Sequence, residues 1–328
     1  MDVIAIALIC ISMILAFAIG ANDETYASIV GIKRVSVNVA VFLGAIIAFI
    51  GSLLFAPRIC DTLQNDISTL NIADYHIVVV IFLAMATSLI LASFFGLPIS
   101  STQAMIGAIL GLTIIKQESI IWTFDGFGKI IFTWLISPIV GFVASFLLIK
   151  IVNKIMAQRI KGLQDYEKSS EIFGSSLFFM VIILGLSRSG NDLCNAIAPI
   201  VPLFQEEGRS LFYQYLPIII GGLSLGLGLI FIGRRVLQTL GNDVVKLTPE
   251  TGFATQTASA IIIFIAVFFG IPISGTMVLV SSFVGAGIGG NKPVNFASVK
   301  MITLFAFLTP ILSAVWAIGY YYATGWMF

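Results

Sequence analysis

The stretch GANDETYA, residues 20 to 27, follows an apolar run that starts at Val3, and it places Asp23 and Glu24 where the interior of a bilayer would lie. Of the 328 residues, 59% are hydrophobic and only 10% are charged, and the mean hydropathy is +1.07. This composition is typical of a protein that crosses a membrane many times. The net charge of +1 gives no reason to expect a nucleic-acid partner. We therefore predict an all-α, multi-pass protein of the cell (plasma) membrane.

Apolar segments follow one another along the whole chain, and several have the roughly 20 residues that a transmembrane helix needs. Their approximate bounds are 3–20, 35–55, 77–95, 105–115, 130–152, 173–187, 211–232, 258–270, 278–289 and 301–323. The segments at 105–115 and 278–289 are too short to span. A polar stretch divides the chain nearly in half, which predicts a first transmembrane repeat at 1–152, a linker at 153–172 and a second repeat at 173–328.

Two motifs occur once in each half, in the same order and at nearly the same spacing. ANDETYA (21–27) matches GNDLCNA (190–196), and FGLPISSTQAMIGAILG (95–111) matches FGIPISGTMVLVSSFVG (269–285). Chance is a poor explanation for two ordered matches, so the halves are predicted to be structural repeats.

The basic residues predict how the repeats sit in the membrane. We expect each half to cross three times and to contain one re-entrant hairpin whose arms flank PISST or PISGT. With both termini outside, the linker lies inside, and most basic residues are cytoplasmic, as the positive-inside rule requires. Those inside are Lys33, Arg34, Lys150, Lys154, Arg159, Lys161, Lys168, Arg234, Arg235, Lys246, Lys292 and Lys300; those outside are Arg58, Lys116, Lys129 and Arg209. An odd number of crossings makes the second repeat inverted, the plan of many secondary transporters.

The first motif supplies an Asn-Asp pair beside glycine in each half. Glycine lets the backbone leave regular helix, so broken helices are expected here. Carboxylate and carboxamide oxygens suit a small hard cation, which predicts a sodium site at Asn22, Asp23, Asn191 and Asp192. The alternative is that Asp23 and Asp192 cap helices or lie among headgroups, but this does not explain their repetition.

The second motif breaks an apolar run and begins another with hydroxyl side chains. Proline ends regular helix, and serine or threonine is a preferred N-cap. One copy alone could be simply a capped helix start. Two copies from inverted halves would direct two helix N-termini, with their free N–H groups, toward a common point, where they could bind an anion.

The duplicated Asn-Asp elements, the duplicated GLPISST and GIPISGT tips and TPETGF at 248–253 together resemble the inorganic phosphate transporter (PiT) family of sodium- or proton-coupled symporters. The resemblance covers essentially the whole chain except the linker. It implies a transporter, commonly a homodimer, in which both motifs enclose phosphate and its coupling cations. The matching cation-coupling residues are Asn22, Asp23, Asn191, Asp192 and Asn195, and the matching substrate-binding residues are Ser100, Ser101, Thr102, Gln103, Ser274, Gly275 and Thr276.

The chain departs from that family at a few positions. Tyr26 stands where the family usually repeats asparagine, Met277 where it usually has histidine or glutamine, and Arg188 where it often has histidine. Arg188 and Glu24 have no charged counterpart in the other repeat. Either Arg188 snorkels to an interface while Glu24 faces a water-filled crevice, or the fixed positive charge of Arg188 stands in for a coupling cation and compensates Asp192 or Glu24.

We predict import of inorganic phosphate by symport with sodium ion or proton, through alternating access and without a cofactor or enzymatic step. A symporter of sulfate or another tetrahedral oxyanion is the alternative, and an anion channel is a further one. An intramembrane enzyme is disfavoured because the single histidine, His76, is far in sequence from both motifs. A scaffold without transport leaves the paired motifs unexplained. Three scattered cysteines, Cys10, Cys60 and Cys194, indicate neither disulfides nor a metal site.

Overall fold

The computed structural model describes residues 3–59, 75–120, 127–197, 200–201, 204, 210–268 and 273–325. Within these ranges the chain is helical, with one isolated antiparallel bridge between Val245 and Val294. The helices are α1 (Val3–Ala21), α2 (Ala27–Gly31), α3 (Val37–Ile59), α4 (Tyr75–Phe94), α5 (Ser101–Ile115), α6 (Phe127–Arg159), α7 (Leu163–Ile197), α8 (Leu211–Phe231), α9 (Arg234–Gln238), which continues into a π-helical segment (Thr239–Val244), α10 (Pro249–Phe268), α11 (Gly275–Gly289) and α12 (Phe296–Thr324).

The predicted all-α membrane architecture is confirmed. Six described helices, α3, α4, α6, α7, α8 and α12, are long and apolar enough to cross a membrane. Shorter apolar helices include α5 and α11, the two segments that the sequence marks as too short to span. Large apolar side chains such as Phe42, Leu147 and Val315 are more than half exposed on their outer faces. These apolar faces suit contact with the hydrocarbon of a bilayer, because exposing them to water would cost free energy.

The two Asn-Asp motifs differ in backbone conformation. The first motif interrupts the helix as predicted, because α1 ends at Ala21 and α2 begins only at Ala27. In the second copy α7 continues without a break through Asn191 and Asp192 to Ile197. The prediction of a broken helix is therefore wrong for the described part of the second copy. Glycine permits a break but does not impose one, and Gly190 stays helical where α7 packs closely on Phe55 of α3.

The polar stretch between the halves is not an extended linker. Helix α6 reaches Arg159, and α7 starts at Leu163 with Asp165 in its first turn. The Asp165 carboxylate accepts a hydrogen bond from the backbone N–H of Lys161 at 3.0 Å, which helps to fix the tight connection. The stretch is polar because it consists of helix ends that project beyond the apolar region. The division of the chain into repeats remains a prediction.

Corresponding helices of the two halves have corresponding packing partners, with α1, α3, α5 and α6 of the first half matched to α7, α8, α11 and α12 of the second. Helix α1 packs on α8 as α7 packs on α3, and α5 packs on α12 as α11 packs on α6. The last helix of each half also contains an internal proline, Pro138 in α6 and Pro310 in α12. This correspondence supports the proposed repeat. The membrane orientation also remains a proposal; Cys60, Arg209 and the side chains of Arg58 and Lys129 lie outside the described residues.

The first hairpin turns sharply between α4 and α5. Gly96 has a φ of +69°, and an added Cβ would meet the Thr239 hydroxyl oxygen at 2.6 Å, so a larger residue would be strained there. The Asn22 side chain holds the extended segment that follows. It donates to the Ser93 hydroxyl (2.9 Å) and the Leu97 carbonyl (3.0 Å), and it accepts from the Ile99 N–H (2.7 Å). The break after α1 is thus attached to the hairpin.

Candidate functional site

Serine residues cap both short helices, as the sequence predicts. Ser100 precedes α5 in an extended conformation, and its hydroxyl accepts a hydrogen bond from the Gln103 N–H at 3.3 Å. Ser274 does the same for α11, accepting from the Met277 N–H at 3.2 Å. A cap satisfies only one of the free N–H groups of a first turn, so donors remain for a ligand.

The two helix starts meet. The Thr276 hydroxyl in the first turn of α11 donates to the Ile99 carbonyl just before α5, at 3.4 Å. Residues 269–272 of the second hairpin lie outside the described residues. The predicted convergence of two helix N-termini is therefore present in the described parts of both hairpins.

A cavity lies between the helix starts and α7. Its walls contain Ser100, Ser101, Thr102, Arg188, Asn191, Asp192, Ile263, Ile273, Gly275 and Thr276. The water-accessible volume of this cavity is about 10 Å³, which is room for roughly one water molecule. An oxyanion would therefore have to displace side chains or separate the hairpins. The apolar walls, Ile263 and Ile273, were missed by sequence reasoning because nothing distinguishes them from other core residues.

Several predicted site residues lie close by but not in the cavity wall. The Asn22 amide holds the first hairpin, and Asp23 Oδ1 accepts hydrogen bonds from the Thr25 N–H (2.9 Å) and hydroxyl (2.6 Å). Asp23 thus stabilises the turn after α1, in line with the capping alternative for this copy. Asn195 links α7 to the first turn of α5 by donating to the Ser101 hydroxyl at 3.2 Å.

Gln103 and Ser274 also stand outside the wall. The Ser274 hydroxyl is used in its cap, whereas the Gln103 amide oxygen is buried without a hydrogen-bond partner. Gln256 of α10, which no sequence motif marks, donates from Nε2 to the Thr25 carbonyl (2.9 Å) and the Ser28 hydroxyl (2.7 Å). Its buried amide oxygen likewise has no partner. Gln256 is thereby attached to the break after α1, where its free amide oxygen is the kind of ligand that a sodium ion could use.

Arg188 and Glu24 form a buried ion pair instead of reaching an interface. Arg188 Nη1 lies 2.8 Å from Glu24 Oε1, and their side chains are 9% and 0% exposed. Arg188 Nε also donates to Asp192 Oδ2, one turn later on α7, at 3.0 Å. The snorkelling alternative for Arg188 is excluded by this burial. A charge deep inside a protein needs such partners, because leaving water without them is costly.

Tyr26 has a packing role in the structure. It is fully buried, and its hydroxyl donates to the Gly44 carbonyl of α3 at 3.3 Å. A Cβ at Gly44 would approach the Tyr26 ring within 2.6 Å, and one at Gly185 of α7 would approach its hydroxyl within 2.5 Å. The tyrosine that replaces the expected asparagine therefore fills space between two helices.

No cluster of three or more His, Cys, Asp or Glu side chains suited to a transition metal occurs among the described residues. The segment Gly222–Gly226 reads GLSLG and matches the GxSxG pattern of hydrolases. It lies inside α8 with Ser224 buried, whereas a hydrolase nucleophile requires a strand-to-helix turn. This serine has no such setting.

Comparison with known proteins agrees with this geometry. The chain aligns over 92% of its length with a Thermococcus kodakarensis protein named as a putative phosphate permease, at 24% identity and 93% coverage of the relative. A Rhizobium meliloti protein, named as a probable low-affinity inorganic phosphate transporter, is 29% identical over 86% of this chain and 84% of its own. A solved structure described as "The sodium-dependent phosphate transporter" has the same fold, with a TM-score of 0.85, 20% identity and full coverage of both chains.

The family model described as the phosphate transporter family matches residues 19–317, a range that contains both Asn-Asp motifs, both hairpin tips and the cavity between them. It accounts for the motif pairs as parts of a transporter and confirms the resemblance that those motifs indicate. The chain belongs to the phosphate transporter family.

Proposed function

We propose that this protein imports inorganic phosphate by symport with a cation, through alternating access around the cavity between the two hairpins. The single observation that carries the proposal is the convergence of two Ser-capped helix N-termini on a cavity that also contains Arg188 and Asp192. Free N–H groups, positive helix ends and a guanidinium favour an anion. Membership of the family supplies the expectation that this anion is phosphate.

Phosphate is preferred to sulfate in this proposal because of Asp192. Hydroxyl and N–H donors at the hairpin tips accept either tetrahedral anion, so they do not discriminate. At neutral pH phosphate keeps an O–H group that can donate a hydrogen bond to a carboxylate. Sulfate has no O–H group, so its oxygens would face the carboxylate with repulsion that no hydrogen bond offsets. Arg188 engages Asp192 Oδ2, so Oδ1 would accept the phosphate O–H. An unsatisfied buried group costs about 1–3 kcal/mol, which corresponds to roughly 10- to 100-fold selectivity.

The coupling cation is proposed to interact with oxygens around the two Asn-Asp motifs. Asp23 and Asp192 supply negative charge, which a sodium ion or a proton would offset together with the charge of the bound anion. The solved neighbour is described as sodium-dependent, which favours sodium as the cation. We further propose a homodimer in the plasma membrane, with both termini outside.

The identity of the anion is tested by uptake of labelled phosphate into proteoliposomes. Unlabelled phosphate should suppress uptake of the label at concentrations where sulfate has little effect. The sulfate concentration that halves uptake should exceed the phosphate concentration that does so by a factor of at least about 10. Sulfate that displaced labelled phosphate at equal concentration would overturn the phosphate assignment and favour the sulfate alternative. Empty liposomes provide the leak control.

A further inference from the structure

The guanidinium of Arg188 has more donors than its protein partners use. Arginine presents five N–H donors in a planar fork. Nε donates to Asp192, Nη2 makes a long contact of 3.5 Å with the Thr276 hydroxyl, and Nη1 lies 2.8 Å from Glu24 Oε1. The side chain is nevertheless only 9% exposed, and it forms part of the cavity wall. These three contacts use three of the five N–H groups, so donors remain beside the space that the proposed function gives to an anion.

Glu24 forms an ion pair with the same guanidinium. Its Oε1 is 2.8 Å from Nη1, and the carboxylate is completely buried. Glu24 does not belong to the cavity wall. Because Arg188 reaches the cavity wall and Glu24 does not, an oxyanion in the cavity could compete with Glu24 for Nη1.

The second hairpin contacts the same group. A Cβ at Gly275 would lie 3.3 Å from both Cζ and Nε of Arg188, so the backbone of the α11 start lies directly against the guanidinium. Arg188 also lies on α7, which packs against α3 and α10. A change of partner at Arg188 would therefore alter a direct contact with the start of α11.

We propose that Arg188 is a direct ligand of the transported oxyanion and that Glu24 is its alternative partner when the cavity is empty. Anion binding exchanges the Glu24 carboxylate for an oxyanion oxygen at Nη1, while Asp192 keeps Nε in place and the released Glu24 takes up a proton. Arg188 thereby supplies a fixed positive charge that no mobile cation has to provide. The inference rests on the proposed function, because it names a ligand of that same site.

A purely structural pair would behave differently. If Arg188 served only to neutralise Glu24, removing either partner alone would leave an uncompensated buried charge, and removing both would restore the site. If Arg188 binds the anion, removing Glu24 as well cannot restore binding. The double variant therefore separates the two roles.

The experiment measures binding of inorganic phosphate to purified protein by calorimetry, at fixed sodium concentration, for the wild type, Glu24→Gln, Arg188→Gln and the double variant. Arg34→Gln, which removes an exposed arginine outside the cavity, is the matched control. We expect Arg188→Gln and the double variant to bind about 10- to 100-fold more weakly than the wild type. Glu24→Gln should bind at least as tightly as the wild type, because the competitor is gone.

Double-variant affinity within about twofold of the wild type would overturn the inference, as would unchanged affinity in Arg188→Gln. Weaker binding in Glu24→Gln would also contradict the exchange of partners. Should Arg188→Gln fail to fold, the charge-balanced double variant and Glu24→Gln still decide the matter. Absence of phosphate binding in the wild type is a different result, since it would refute the proposed function itself.

Discussion

Asp23 and Asp192 occupy equivalent positions in the two motifs but have different surroundings. Asp192 belongs to the cavity wall and bonds to Arg188, whereas Asp23 accepts two hydrogen bonds from Thr25 at the break after α1. Equivalence in sequence thus does not give identical roles. The proposed function nevertheless assigns both carboxylates to charge compensation of the coupling cation.

Replacing either carboxylate by its amide is expected to abolish accumulation of phosphate. Asp23→Asn and Asp192→Asn keep size and hydrogen-bonding capacity but remove the negative charge that attracts the cation. In proteoliposomes with an imposed cation gradient, the accumulation ratio should fall to about 1, while folded protein is retained. Asp243→Asn, at an exposed carboxylate, is the control. Wild-type accumulation in both variants would show that neither aspartate is a coupling residue.

At the scale of elements, the sequence predicts the helices and the two hairpin tips well, because apolar length and Ser caps are local signals. It fails at the second Asn-Asp motif, where contact with α3 keeps α7 helical. It also does not reveal that α6 and α7 continue into the polar stretch at 153–172. The ion pair between Glu24 and Arg188 joins residues distant in sequence. The sequence marks both residues, because each lacks a charged counterpart in the other repeat, but only the structure shows that they are in contact.

The attachment of the first hairpin to the break after α1 predicts an effect of Asn22→Ala. The substitution leaves the Ile99 N–H and the Leu97 carbonyl without their partner. We expect the free energy of unfolding to fall by about 1–3 kcal/mol and phosphate uptake to weaken. Thermal unfolding in detergent measures the first effect. Asn242→Ala, at an exposed position, should leave both properties unchanged; identical behaviour of Asn22→Ala would refute the attachment.

The packing of Tyr26 between α3 and α7 predicts that Gly185→Ala is destabilising. The new methyl group would meet the Tyr26 hydroxyl at 2.5 Å, and overpacking of a core typically costs about 1–3 kcal/mol. Adding Tyr26→Phe removes the clashing oxygen and should recover part of the loss. A double-mutant cycle on the melting temperature checks this. Strict additivity of the two substitutions would contradict the proposed contact.

For the whole molecule, corresponding helices of the two halves pack in the same way, which supports two repeats. The proposed inverted arrangement predicts on which side of the membrane each connecting segment lies. Cysteines introduced at Gln164 and Glu118, in a background without native cysteines, should lie on opposite sides of the membrane. A membrane-impermeant thiol reagent added to intact cells should label Glu118→Cys at once and Gln164→Cys only after permeabilisation. The reverse pattern would invert the orientation, and equal labelling would show that α6 does not carry the chain across the membrane, as the proposed topology requires.

The most direct test of symport is the accumulation of labelled phosphate against its own gradient by purified protein in sealed proteoliposomes. An inward sodium gradient, then an inward proton gradient, is imposed with the membrane potential clamped. Symport predicts that one of the two cations drives internal phosphate transiently above the external concentration and that collapse of that gradient abolishes the excess. Flux that only equilibrates phosphate, and that ignores both gradients, would contradict symport and identify the protein as a passive anion pathway.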